Sequence, residues 1–160
     1  MHTRAIWGRL ALVLLAVTAV AACSGVRPYE NPRERNLAIN VVTDPGSLFG
    51  GVDAAVDIYS VDDRCQPEYL GTVALQDPLV LVGLPPDRLS YLVFTFSSSA
   101  YLGSIRGSAA FEVLMAAKAG YRYEAEVRYI DDIYNVEILE KSPGARRGVE
   151  IPLRDLASCN

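Results

Sequence analysis

Residues 121–130 read YRYEAEVRYI, and the fold turns on how they are read. Tyr121, Tyr123, Ala125, Val127 and Tyr129 alternate with Arg122, Glu124, Glu126 and Arg128. Successive strand side chains point to opposite faces, so this period of two predicts a strand with one buried and one wetted face. Asp131 and Asp132 then make a tight connection into residues 133–140, where Tyr134, Val136 and Ile138 repeat the pattern. Together the two runs predict a hairpin.

The same period extends upstream. Leu37, Ile39 and Val41 alternate until Asp44-Pro45-Gly46 turns the chain, and Val52, Ala54, Val56 and Ile58 then face away from Asp53, Asp57 and Tyr59. Short runs follow at residues 69–75, 79–84 and 90–97, the last with Leu92, Phe94 and Phe96 on one face, all rich in residues that suit pleated sheets. Residues 109–119, AAFEVLMAAKA, read two ways. Strong helix formers with Ser108 as N-cap and Gly120 as C-cap allow one short helix, while Phe111, Val113 and Met115 alternate as a strand would. The strand is favoured. Seven to eight short strands separated by turn signals predict an all-β fold, an antiparallel β-sandwich.

Four pieces of this region, VDIYSV, YLGTVAL, LVGLPPDR and KAGYRYEAEV, lie within residues 56–138. In them the chain resembles small bacterial lipoproteins with a transthyretin-like or carboxypeptidase-regulatory-like β-sandwich. The resemblance covers roughly half the chain and contains no catalytic motif. It implies a non-enzymatic envelope module and carries over no functional residue.

The N-terminus supplies an address. Arg4 and Arg9 precede thirteen uncharged residues, 10–22, long enough for an export signal but short of the roughly 20 apolar residues that span a bilayer. The run ends in Val20-Ala21-Ala22-Cys23, which resembles the bacterial lipobox. It identifies residues 1–22 as a lipoprotein signal peptide and Cys23 as the lipidated first residue of the mature protein. A diacylglyceryl cysteine supplies the two acyl chains that stable anchoring requires. Ser24 resembles the sorting pattern of outer-membrane lipoproteins, so the expected location is the outer membrane, facing the periplasm. Residues 23–35 have two prolines, many charges and no apolar period, the composition of a flexible tether. One domain, residues 36–160, completes the chain.

Composition then narrows the chemistry. Residues 1–22 hold two of the fifteen cations and none of the nineteen acids, which leaves the mature chain at −6 and disfavours nucleic acid as a partner. They also hold His2, the only histidine, so imidazole-based hydrolases and His-built zinc sites are excluded. Cys65 and Cys159 are expected to form a disulfide in an oxidising compartment. With no histidine and no C-x-x-C spacing they make a poor metal site, and no cofactor is implied.

Two carboxylate pairs, Asp62-Asp63 and Asp131-Asp132, read as turn residues, because adjacent strand side chains diverge and cannot converge on one ion. Residues 43–51 and 97–108 are loops with apolar centres. In the second, Tyr101, Leu102 and Arg106 combine residue types enriched in interface hot spots and form a candidate contact loop. The alternative is a lid over the sandwich end. The expected function is a lipid-anchored, non-catalytic accessory or interaction module with an envelope protein partner, and its rival is a binder of a small apolar or glycan ligand. An envelope hydrolase using aspartates ranks third.

Overall fold

The computed structural model describes residues 26–30, 34–43, 52–99, 106–130 and 133–159. Its strands are, in chain order, β1 (Leu37–Thr43), β2 (Val52–Val61), β3 (Pro67–Ala74), β4 (Leu79–Val82), β5 (Leu89–Ser99), β6 (Arg106–Ala116), β7 (Arg122–Ile130), β8 (Ile133–Lys141) and β9 (Val149–Glu150). They form a five-stranded sheet of order β4-β1-β7-β8-β9 and a four-stranded sheet of order β3-β2-β5-β6. The protein is an all-β sandwich.

Each strand reverses the direction of the one before it, so odd-numbered strands share one direction and even-numbered strands the other. Odd–even neighbours must then be antiparallel, and every neighbouring pair but one is odd–even. β1 and β7 are both odd, and they pair in parallel from Leu37 opposite Tyr123 to Thr43 opposite Tyr129. The antiparallel sandwich expected from the sequence thus includes one parallel seam, which belongs to topology and leaves no mark on local sequence.

The alternation also sorts the connections. Residues 62–66, 83–88, 117–121 and 142–148 join strands at one end of the sandwich, and residues 75–78 join β3 to β4 at the other. The first is called the disulfide end here and the second the far end.

Both inner faces are apolar as the period of two requires. Ile39, Val56, Ile58, Leu92, Phe94, Val113, Ala125 and Ile138 are wholly buried. Each such Leu, Ile, Val or Phe contributes roughly 1.5–3 kcal/mol by leaving water. Residues 106–116 are strand: β6 pairs with β5 over eleven positions, from Leu89 opposite Ala116 to Ser99 opposite Arg106. The hairpin of residues 121–140 forms with Ile130 opposite Ile133. Asn36 closes the disulfide end of β1, its side-chain amide donating to Leu84 O at 2.9 Å and accepting from Leu84 N at 2.7 Å.

Candidate functional site

The turn after β2 is built by Asp62. Its Oδ1 accepts the backbone N–H of Arg64 at 2.9 Å and of Gln66 at 2.8 Å, and its carbonyl accepts that of Cys65. This local bonding is what favours aspartate in turns, and it occupies the carboxylate of the first Asp-Asp pair. Cys65 adopts a φ of 59° in the turn. It is bonded to Cys159, with Cα atoms 5.9 Å apart, across a sequence separation of 94 residues. The ordinary span for a disulfide is about 4.4–6.8 Å.

The C-terminal chain reaches that bond by crossing the sandwich. Ile151 N donates to Ile138 O on β8, and Leu114 N on β6 donates to Arg154 O. A 3-10 helix, Leu156–Cys159, follows, with Ser158 N bonded to Asp155 Oδ1 at 3.0 Å. The segment is therefore a strap from the edge of the five-stranded sheet to the edge of the four-stranded one. Beside the bond lies an open cleft of about 580 Å³, lined by Asp62, Asp63, Asp87 and Arg88 among others.

At the opposite edge of the same sheet the N-terminal chain does the equivalent. Residues 27–29, assigned by composition to the tether, instead lie parallel to β3, with Pro28 opposite Thr72. Tyr29 N donates to Thr72 O at 3.0 Å and Thr72 N to Arg27 O at 2.8 Å. A bulge in β3, with Gly71 opposite Ile58 but Tyr69 opposite Tyr59, makes Leu70 the extra residue. The Arg27 guanidinium donates to the carbonyls there, Nε to Leu70 O at 3.0 Å and Nη2 to Tyr69 O at 2.7 Å. Tyr29 Oη donates to Gly83 O at 2.7 Å. A glycine permits this approach: a Cβ on Gly71, at φ +151°, would stand 2.6 Å from Tyr29 Cα.

Between the two covers, a row of tyrosines crosses the outer face of the four-stranded sheet. Ring centroids of Tyr69 and Tyr59 are 5.4 Å apart and those of Tyr59 and Tyr91 are 5.5 Å apart. Arg27 lies over the Tyr69 ring at 5.8 Å. The Tyr69 hydroxyl is 2.6 Å from Thr72 Oγ1, which donates to Asp57. At the other end burial, a hydrogen bond to Glu112 and the fields of neighbouring acids push the Tyr91 phenol up to about 12. Such a phenol stays protonated at neutral pH and is not a base. The rings are tilted by 56° and 47° against one another, so they brace adjacent strands instead of forming a flat platform.

Of the expected site residues, Cys65 and Cys159 are joined. Cys23, Tyr101, Leu102, Asp131 and Asp132 lie outside the described residues, and Arg106 opens β6 opposite Ser99. The N-terminal cover and the tyrosine row were not foreseen; their only local signal is a tyrosine at outward positions of β2, β3 and β5 and an Arg-Pro-Tyr in the tether. Among the described residues no group of three or more His, Cys, Asp or Glu side chains could hold a metal ion, and no helix is long and apolar enough to cross a membrane. No protein-family model matches the chain, and no curated protein is significantly similar to it.

Proposed function

We propose that the protein is a lipid-anchored, non-catalytic β-sandwich of the bacterial envelope that serves as an accessory or interaction module for another envelope protein. The observation that carries this reading is the pairing of Cys65 with Cys159. Of three cysteines, it leaves Cys23, at the small-residue exit of an apolar leader, as the one for acylation. A disulfide also suits a compartment outside the cytosol.

The packing favours a module over a ligand carrier. Between the sheets, the void lined by Val41, Ala54, Phe96 and Tyr129 measures about 20 Å³, room for no more than a water. Drug-sized ligands occupy roughly 300–1,000 Å³ of largely enclosed, mostly apolar space, whereas the clefts beside the disulfide and beside Arg27 and Tyr29, among the described residues, are open and bordered by charges.

Intact mass of protein extracted from membranes tests the anchor. The expected product begins at Cys23 and carries acyl chains, and Cys23→Ser is expected to lose both the added mass and the membrane fraction. Correctly cleaved wild-type protein that is soluble and unacylated would end the reading.

A further inference from the structure

Among the described strands that lie at a sheet edge, β6 is the longest, with eleven residues against eight in β3, four in β4 and two in β9. Leu114 N donates to Arg154 O, so the even-numbered residues of β6 turn their N–H and C=O groups away from β5. Among the described residues those of Ser108, Ala110 and Glu112 have no backbone partner on that side, and all three residues are exposed. The strand carries no bulge, proline or lysine, the features that commonly blunt an edge.

The open stretch is bounded at both ends. It begins where β6 begins, at Arg106, and stops at Glu112, the last outward-turned position before the strap takes Leu114. Its midpoint is Ala109. An antiparallel second copy in full overlap therefore has Ala109 on the two-fold axis, and residues 106–112, RGSAAFE, complement their own reverse. Arg106 falls opposite Glu112, Gly107 opposite Phe111 and Ser108 opposite Ala110. Opposite charges meet at both ends of the overlap, as stabilises cross-strand pairs, and the bulkiest residue meets the one without a side chain. Phe111 is half-buried in the single copy, its ring edge-on to Phe96 at 5.9 Å, so it has apolar surface left to bury. Moving the axis one residue towards the strap would bring Arg106 of each copy onto Leu114 of the other, a position the strap already holds.

We propose that the protein pairs with a second copy of itself through the open edge of β6, joining two four-stranded sheets into one continuous sheet across a two-fold axis at Ala109. The pairs Arg106–Glu112 and Ser108–Ala110 then exchange backbone hydrogen bonds, and the Gly107–Phe111 and Ala109–Ala109 pairs lie between them. Such a contact is isologous and closes at two copies. It does not depend on the anchor reading.

The processed chain, held in detergent, is tested by sedimentation for a mass that doubles with concentration. Glu112→Arg alone and Arg106→Glu alone each set like charges opposite one another twice, and each is expected to weaken the dimer about tenfold. The double variant restores opposite charges and is expected to recover most of that loss. Ala109→Cys tests the axis in native membranes: Cα atoms about 4.5 Å apart in a pair of this kind lie within the disulfide span of about 4.4–6.8 Å. Mild oxidation should trap it as a covalent homodimer and leave Gln76→Cys, at an exposed position away from β6, a monomer. A wild-type chain that stays monomeric up to about 0.1 mM overturns the proposal. So does a dimer that neither reversal weakens, or that the double variant leaves as weak as the single ones. Trapping at position 109 no greater than at position 76 overturns it as well, and a covalent adduct with a different protein assigns the edge to a foreign strand instead.

Discussion

The two edges of the four-stranded sheet solve one problem in different ways. An open edge offers unpaired N–H and C=O groups to any passing strand. At β3 the N-terminal chain covers them non-covalently, through two backbone bonds, the Arg27 and Tyr29 side chains and the space left by Gly71. At β6 the C-terminal strap makes a backbone bond, Leu114 N to Arg154 O, and is pinned by the disulfide. Only the second cover is covalent, so it cannot leave without reduction. Among the described residues the five-stranded sheet has neither, and its edges β4 and β9 are only four and two residues long, short enough to offer little template.

The largest effect is expected at the covalent edge. Replacing Cys65 and Cys159 by Ser releases a closure spanning 94 positions, which the chain-entropy model puts at about 4–5 kcal/mol and measured disulfides at about 2–5 kcal/mol. Melting temperature should fall markedly, and the Leu114 amide should lose protection in hydrogen exchange while Tyr29 and Thr72 keep theirs. Equal deprotection at both edges would mean the two covers form one cooperative unit.

Most of the sandwich was legible because its signal is local. The alternation of Leu92, Phe94 and Phe96, or of Tyr123, Ala125 and Val127, needs no knowledge of the partner strand. Residues 109–119 were ambiguous since Ala, Leu, Met and Lys favour helix, and eleven cross-strand positions with β5 outweigh that preference. What stayed hidden is non-local. Arg27 and Tyr29 sit in a charged, proline-bearing run, and their pairing depends on Gly71, more than forty residues away. β9 has two residues and no period to read, and the parallel seam of β1 with β7 follows from strand order alone. The cysteine pair was readable from counting, whereas the contact loop around Tyr101 and Leu102 lies outside the described residues.

A smaller effect is expected at the non-covalent edge. Gly71→Ala sets a methyl against Tyr29 Cα and 2.9 Å from Arg27 O, a backbone obstacle that no rotamer relieves. Overpacking of this kind costs about 1–3 kcal/mol, and here the chain can escape part of it by letting residues 27–29 go. Hydrogen exchange should speed at the Tyr29 and Thr72 amides, and the Leu114 amide should be unaffected. Unchanged protection at Thr72 would show that the N-terminal cover tolerates the methyl and that the glycine is not what admits it.

The smallest effect at neutral pH, and one that grows in alkali, concerns the tyrosine row that joins the two covers. Its ends differ electrostatically: a guanidinium stands over Tyr69, whereas Tyr91 is bonded to Glu112 and feels Asp155 on the strap. Burial first, then the Glu112 bond and the surrounding acids, raise the Tyr91 phenol from its ordinary value of 10.0 to about 12. The folded state then holds this proton more tightly than the unfolded chain. Its contribution to stability is complete below about pH 10 and is lost as pH rises through about 12. Tyr91→Phe deletes the ionisable group, so stability of the variant should fall less steeply over that interval, while at pH 7 it should lie within about 1 kcal/mol of wild type. Absorbance of phenolate during alkaline titration should lose its last-titrating component in the same variant. Titration and stability curves that overlay those of wild type throughout would show that the acids on the strap side do not hold Tyr91 protonated.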